Sequence, residues 1–204
     1  MNILIRIFLI ILFLAASSPP VSADFKSGGD AYKRGDYETA AREFLPLAEK
    51  GDHRAMYALG SMYAGGQGVP QDLKEAMKWF RKAAIYGRPD AMFKIGLMYD
   101  EGHGVEADSK QAVKWYGKSA TSGYSLAQFK VGEMYAQGRG VKQNPAKAYA
   151  WLKLASANGL NDADNLITSL EKEMTPEQLE EAERLTREYM DQYANKQWPM
   201  TNDQ

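Results

Sequence analysis

The chain has 204 residues, enough for one ordinary domain, and no cysteine, which excludes disulfides, thiolate metal sites and a cysteine nucleophile together. Its 25 Lys+Arg against 26 Asp+Glu give a formal net charge of -1, without the basic excess expected of a nucleic-acid binder. Stability must therefore come from packing.

The first 23 residues read MNILIRIFLIILFLAASSPPVSA. Arg6 precedes an apolar run from Ile7 to Ala16, and a polar, proline-containing stretch leads to Val21-Ser22-Ala23, small residues spaced as a signal peptidase prefers. The run is shorter than the ~20 apolar residues that span a hydrocarbon core. The expectation is a signal peptide cleaved after Ala23 and an exported, periplasmic or secreted protein beginning at Asp24. The alternative is an uncleaved interfacial anchor. No cysteine follows the run, so no lipid anchor is expected.

From Ser27 the chain reads SGGDAYKRGDYETAAREFLPLAEKGD. Ala40, Phe44, Leu47 and Ala48 follow helical spacing, and Gly51 closes the pattern as a C-terminal cap. Gly28 aligns with the later Gly60 if four loop residues are missing here. The turn Gly35-Asp36-Tyr37, followed by Ala40 and Phe44, resembles a tetratricopeptide repeat.

One unit then occurs three times at a step of 36 residues. It links Ala55, Ala91 and Ala127; Gly60, Gly96 and Gly132; Tyr63, Tyr99 and Tyr135; Gly68, Gly104 and Gly140; Trp79, Trp115 and Trp151. A period of this size signals a solenoid. In the first helix of each copy an apolar residue and a tyrosine four positions apart share a face. Glycine costs roughly 1 kcal/mol there against alanine, so its recurrence predicts a close approach of the partner helix. The loops Gly65–Val69, Glu101–Val105 and Gln137–Val141 each place two glycines about one variable residue, permitting positive backbone angles. The valine is expected to tuck the loop onto the hairpin.

Asp72, Asp108 and Asn144 occupy the N-cap of the second helix. Glu75 and Gln111, three residues on, predict capping boxes, while Pro145 suits a first helical turn. The apolar face then runs Ala76, Trp79, Phe80, Ala83, repeated as Ala112, Trp115, Tyr116, Ser119 and as Ala148, Trp151, Leu152, Ala155. One such unit cannot bury both faces, so its neighbours must complete the core.

The pattern A-x-x-x-[LIV]-G-x-x-Y-x-x-G-x-G-V-x-x-[DN]-x-x-x-A-x-x-W over residues 55–162 resembles Sel1-like repeats, relatives of the tetratricopeptide repeat. The resemblance implies an all-α, right-handed α/α superhelical solenoid that acts as an adaptor in protein complexes. It divides the chain into a signal segment (1–23), a shorter tetratricopeptide-like repeat (24–54), three Sel1-like repeats (55–90, 91–126, 127–162), C-terminal capping helices (163–194) and a flexible tail (195–204).

Beyond Gly159, Ala163, Leu166, Ile167 and Leu170 line one helix. Thr175, Pro176 and Gln178 start another, which carries Leu179, Ala182, Leu185, Tyr189 and Tyr193 on one face. This amphipathic helix is expected to seal the last hairpin; the alternative is a helix for a partner's groove. Trp198 lies in the tail, to dock back or stay exposed.

Little chemistry stands out. His53 precedes a helix, and His103 is a variable loop residue without convergent partners beyond the nearby Glu101 and Glu106, so no metal, cofactor or catalytic residue is expected. Ser169-Leu170-Glu171-Lys172 matches S-x-x-K, but the chain has neither S-D-N nor K-T-G. Met62, Met98 and Met134 read as core filling. By analogy with tetratricopeptide-like solenoids, first-helix residues outside the packing positions line a concave, partner-binding side. These are Arg54, Tyr57 and Ser61; Asp90, Phe93, Leu97 and Asp100; and Leu126, Phe129 and Glu133. The aromatics Tyr57, Phe93 and Phe129 recur in register, so hairpin packing is their expected role, and the positions that differ between copies carry the better partner information. A groove of Leu97 and Leu126 with Asp90, Asp100 and Glu133 suits an amphipathic or basic peptide. The expected function is a non-enzymatic exported scaffold with a protein partner, no nucleic acid and no stable membrane insertion after cleavage. A glycan-binding cell-wall protein or β-lactamase-like hydrolase is the alternative.

Overall fold

The computed structural model describes residues 24–194. The expected signal segment and the tail with Trp198 lie outside them. Ten α-helices and a terminal π-helical turn, Met190–Ala194, make up the described chain. They are α1 (Phe25–Lys33), α2 (Tyr37–Glu49), α3 (His53–Gly65), α4 (Leu73–Ile85), α5 (Pro89–Glu101), α6 (Ser109–Thr121), α7 (Ser125–Gln137), α8 (Pro145–Ala157), α9 (Ala163–Glu173) and α10 (Pro176–Tyr189). Successive helices pack as hairpins α1/α2, α3/α4, α5/α6 and α7/α8, each on the next, and both α9 and α10 lie against α8. The fold is an α/α solenoid.

The helix glycines are where two helices meet. A Cβ on Gly60 would stand 2.7 Å from the Phe80 ring, and one on Gly96 2.6 Å from the Tyr116 ring. On Gly132 it would stand 2.6 Å from Leu152, and on Gly28 2.6 Å from Phe44. Three repeats and the shorter first hairpin thus use one device, as the spacing predicts. Nothing larger than a hydrogen fits.

The loop glycines make the next contact. Gly68, Gly104 and Gly140 all have positive φ, +70°, +74° and +68°. A side chain on Gly68 would fall on the backbone of Tyr37, on Gly104 on that of Leu73, and on Gly140 on that of Ser109. Each loop therefore rests on the first turn of the second helix in the preceding hairpin. Val69 and Val105 fold inward against the core beside it.

The expected capping boxes at Glu75 and Gln111 do not form. The side chain of Asp72 accepts from Lys74 and Glu75 amides, that of Asp108 from Lys110 and Gln111, and that of Asn144 from Lys147. The backbone N–H of each cap, which a box would satisfy, is instead donated to a tyrosine carbonyl at the end of the preceding helix. Asp72 reaches Tyr63 at 3.0 Å, Asp108 reaches Tyr99 at 2.8 Å and Asn144 reaches Tyr135 at 2.9 Å. With that donor taken, Glu75 turns to Lys78 (2.7 Å). The box does close at Thr175 and Gln178, where no tyrosine carbonyl competes. From there α10 buries Ala182 and Leu185. Tyr189 and Tyr193 meet the Trp151 ring at centroid distances of 4.8 and 5.5 Å. The apolar stripe of α10 is thus used within the chain, as a seal.

A candidate partner-binding face

Phe25, Tyr57, Phe93 and Phe129 hold one station on the first helices of the four hairpins. Three of them pack on a ring from their own second helix: Phe25 on Phe44 at 5.3 Å, Tyr57 on Phe80 at 5.7 Å and Phe93 on Tyr116 at 5.4 Å. Phe129 shares a cluster with Leu152. Each is then covered from the hairpin that follows. The Arg54 guanidinium lies 4.4 Å from the Phe25 centroid, that of Arg88 5.0 Å from Tyr57, and the Tyr124 ring 5.3 Å from Phe93. Leu160 joins the cluster of Phe129. A flat cation, a flat ring and an alkyl group serve alike, because each offers polarisable surface to an aromatic face. The aromatic residues therefore belong to hairpin packing and to the joints between hairpins.

The predicted polar residues sit around this ladder. Tyr57, Ser61 and Asp90 come together, joined by Arg88 and Tyr124. Burial, and then the Asp90 carboxylate and the Tyr124 hydroxyl, push the Tyr57 hydroxyl up to about 12. Burial and Asp90 raise Tyr124 as well. Asp90 itself is held by Arg88 through two bonds, at 3.0 and 2.5 Å. One repeat earlier Arg54 is held by Asp52 at 2.8 Å. Asp100 lies well inside, bonded at 2.8 Å to Arg139 from the α7–α8 loop, and Glu133 is paired with Lys130 at 2.8 Å. Each of the three predicted acidic residues thus has its cation. An acidic groove for a basic peptide is not what they form. Leu97 is half-buried against the core, and Leu126 is 42% exposed.

Arg88, Tyr124, Lys130 and Arg139 were outside the predicted set. A signal for two of them exists in the sequence: at the 36-residue step, Asp52, Arg88 and Tyr124 form one column and Arg54, Asp90 and Leu126 another. The charges exchange between columns from the first repeat to the second. Arg139 is 39 positions from Asp100 and gives no such sign.

Elsewhere, His103 Nδ1 lies 2.9 Å from Glu101 in the exposed α5–α6 loop. Among the described residues there is no group of three or more His, Asp or Glu side chains placed to hold a metal ion. Ser169 and Lys172 are both exposed on α9. The hydroxyl of Tyr116, fully buried, has no hydrogen-bond partner, whereas the matching ring in the preceding repeat, Phe80, has no hydroxyl at all. An open groove of about 710 Å³ runs between the start of α8 and the first turns of α10, lined by Tyr135, Lys147, Glu177 and Glu181 among others. It occupies the seat that a following loop would take.

Two rhizobial proteins, both named exopolysaccharide production negative regulator, are similar over 60 residues. The one from Rhizobium leguminosarum bv. viciae is 45% identical and that from Rhizobium meliloti 40%, each match covering 29% of this chain and 22% of the relative. This chain therefore aligns with about a fifth of those proteins. Among solved structures, a Sel1 repeat protein from Oxalobacter formigenes superposes with a TM-score of 0.68 at 31% identity, over 71% of this chain and 59% of that one. A protective antigen of uropathogenic Escherichia coli displaying an SLR fold gives 0.59 at 29% identity, over 82% and 45%. The family model for the Sel1 repeat matches residues 53–85, 89–124 and 125–160, more than half the chain. With its glycines, tyrosines and tryptophans at their 36-residue stations, this chain belongs to the Sel1 repeat family.

Proposed function

We propose that the chain is a non-enzymatic protein-interaction scaffold of the bacterial cell envelope. One observation carries this reading. The packing ladder is held constant through three repeats, while the positions beside it change from Arg54 to Asp90 to Leu126 and from Ser61 to Leu97 to Glu133. A fixed frame with a varied surface offers a partner several distinct contacts at once, and a preorganised frame leaves the ordering cost mainly to the partner. Since Asp90, Asp100 and Glu133 are already paired, recognition rests on Leu97 and Leu126, and the fitting partner is an amphipathic segment with its apolar side toward them.

Export is the second part of the proposal. It is supported by the basic residue, short apolar run and Val21-Ser22-Ala23 ending of the first 23 residues. The rhizobial relatives are named for exopolysaccharide production, and that process is the first in which we place the partner. Crosslinking in the native cell, purification and mass spectrometry test the scaffold reading, and amino-terminal sequencing tests cleavage before Asp24. One dominant protein partner, lost on combined Leu97→Lys and Leu126→Lys substitution, is the expected result. Capture unchanged by that double variant would sink the assigned face. Recovery of only the protein itself, or of wall fragments, would replace the scaffold with self-assembly or glycan binding.

A further inference from the structure

The near-balanced total charge conceals a division of charge along the molecule. Helix α4 exposes Lys74, Lys78 and Lys82, and α6 exposes Lys110, Lys114 and Lys118. Steps of four residues put each trio on one helical face, and the trios hold matching stations in consecutive repeats. Among the described residues, Lys78 alone of the six is within ion-pair distance of a carboxylate, that of Glu75. Lys82 and Lys118 lie over Trp79 and Trp115, 3.8 and 4.2 Å from the ring centroids. A ring beneath the ammonium anchors the alkyl stem and keeps the charge at the surface. The opposing charge gathers far along the chain, in the glutamates of α10.

Two apolar side chains continue this stripe. Ile85 follows Arg81 and Lys82 by one helical turn, and it is 83% exposed; Tyr86 beside it is 55% exposed. Thr121 and Ser122 stand at the same stations one repeat later; Tyr86 also leans on the His53 ring at 6.1 Å, so Ile85 is the apolar group with no part in the packing described. Lysines alone would suit any polyanion. Lysines ending in an exposed isoleucine and tyrosine suit an anionic lipid surface, where the cations meet headgroup phosphates and the apolar pair enters the interface.

We infer that the α4/α6 face docks this protein peripherally on an anionic membrane surface, a contact separate from the first-helix face that carries the proposed partner. The test is cosedimentation of the full chain with vesicles of phosphatidylcholine alone and of phosphatidylcholine mixed with phosphatidylglycerol. The readout is the difference between the two, and the variants carry the same amino-terminal residues, Arg6 among them, so the loss on substitution reports the α4/α6 face alone. Partition into the anionic vesicles is expected, weakening as salt rises. Combined Lys78→Glu, Lys82→Glu and Lys114→Glu substitution is expected to lower it about a hundredfold. Ile85→Ser is expected to lower it about tenfold, with the helical circular dichroism spectrum unchanged. Equal partition into both vesicle types would overturn the inference. So would Ile85→Ser leaving vesicle binding intact while dextran sulfate binds with the same lysine dependence, which would make the stripe a site for soluble polyanions.

Discussion

Helices α3 and α5 start on the same ion pair with its charges exchanged, Asp52–Arg54 in one and Arg88–Asp90 in the other. Each delivers a guanidinium to the aromatic ring of the hairpin before it, although the arginine comes from a different column. At α7 the ring cover is Tyr124, and Leu126 takes the place of Asp90. The joint between hairpins thus asks for a flat or apolar group over a ring, not for a given residue. The glycine columns described above allow no such exchange, because the space a Cβ would need is filled by a neighbour's backbone or side chain. Variation in this family member collects where the packing requirement is loose, and the exposed face inherits it.

The largest effect is expected at the glycines. Gly140→Ala would drive a Cβ into the Ser109 carbonyl from a backbone at φ +68°, and is expected to cost at least about 3 kcal/mol in urea unfolding. A smaller but sharper test exchanges carboxylate for amide at the two ion pairs. The Arg88 and Asp90 side chains are 10% and 13% exposed, those of Arg54 and Asp52 45% and 20%. Asp90→Asn should therefore cost about 3 kcal/mol. Asp52→Asn keeps the helix cap and should cost less than about 1 kcal/mol. Burial opposes ionisation of Asp52, but its bonds from Arg54 and the Arg54 and Ala55 amides prevail and hold its carboxyl below the usual range. Its contribution is therefore present above the ordinary carboxylate pKa and is lost as pH falls through the lowered value.

Tyr116→Phe runs in the opposite direction. It removes a buried hydroxyl without a partner and copies the preceding repeat, so a gain of about 1 kcal/mol is expected in the same assay. The slightest effect at neutral pH is expected of Tyr57→Phe, which removes only the interaction with Ser61 there and shows itself chiefly in alkali. The folded hydroxyl titrates at about 12 and the unfolded one at about 10. Below pH 10 both keep their proton. Between 10 and 12 only the folded one does, so unfolding becomes easier as pH rises there, and Tyr57→Phe should flatten that part of the stability profile.

The frame was legible because its requirements are local and repeated. Glycine against Phe80 announces itself by recurring against Tyr116 and Leu152, and Thr175 with Gln178 states a complete cap within four residues. What sequence reasoning missed was set by competition or distance. Glu75 and Gln111 have the spacing of capping boxes, but the amide they would serve belongs to Tyr63 or Tyr99, in another helix. Asp90, Asp100 and Glu133 read as an open acidic surface until Arg88, Arg139 and Lys130 close on them. Phe25 escaped the aromatic column because the first hairpin is shorter, which shifts it out of the 36-residue step. The lysine stripe was hidden by a charge total that sums the middle hairpins with the glutamates of α10.

Gly68, Gly104 and Gly140 all lean the same way, each setting its loop on the hairpin that precedes it. This gives the molecule a direction in time. A chain made amino end first offers every new hairpin a finished seat, and no loop waits for a surface still to be synthesised. What each hairpin does wait for is a cover: the ring on its first helix is closed over only when the next hairpin arrives, and α10, the last described α-helix, closes over α8 from the carboxyl side.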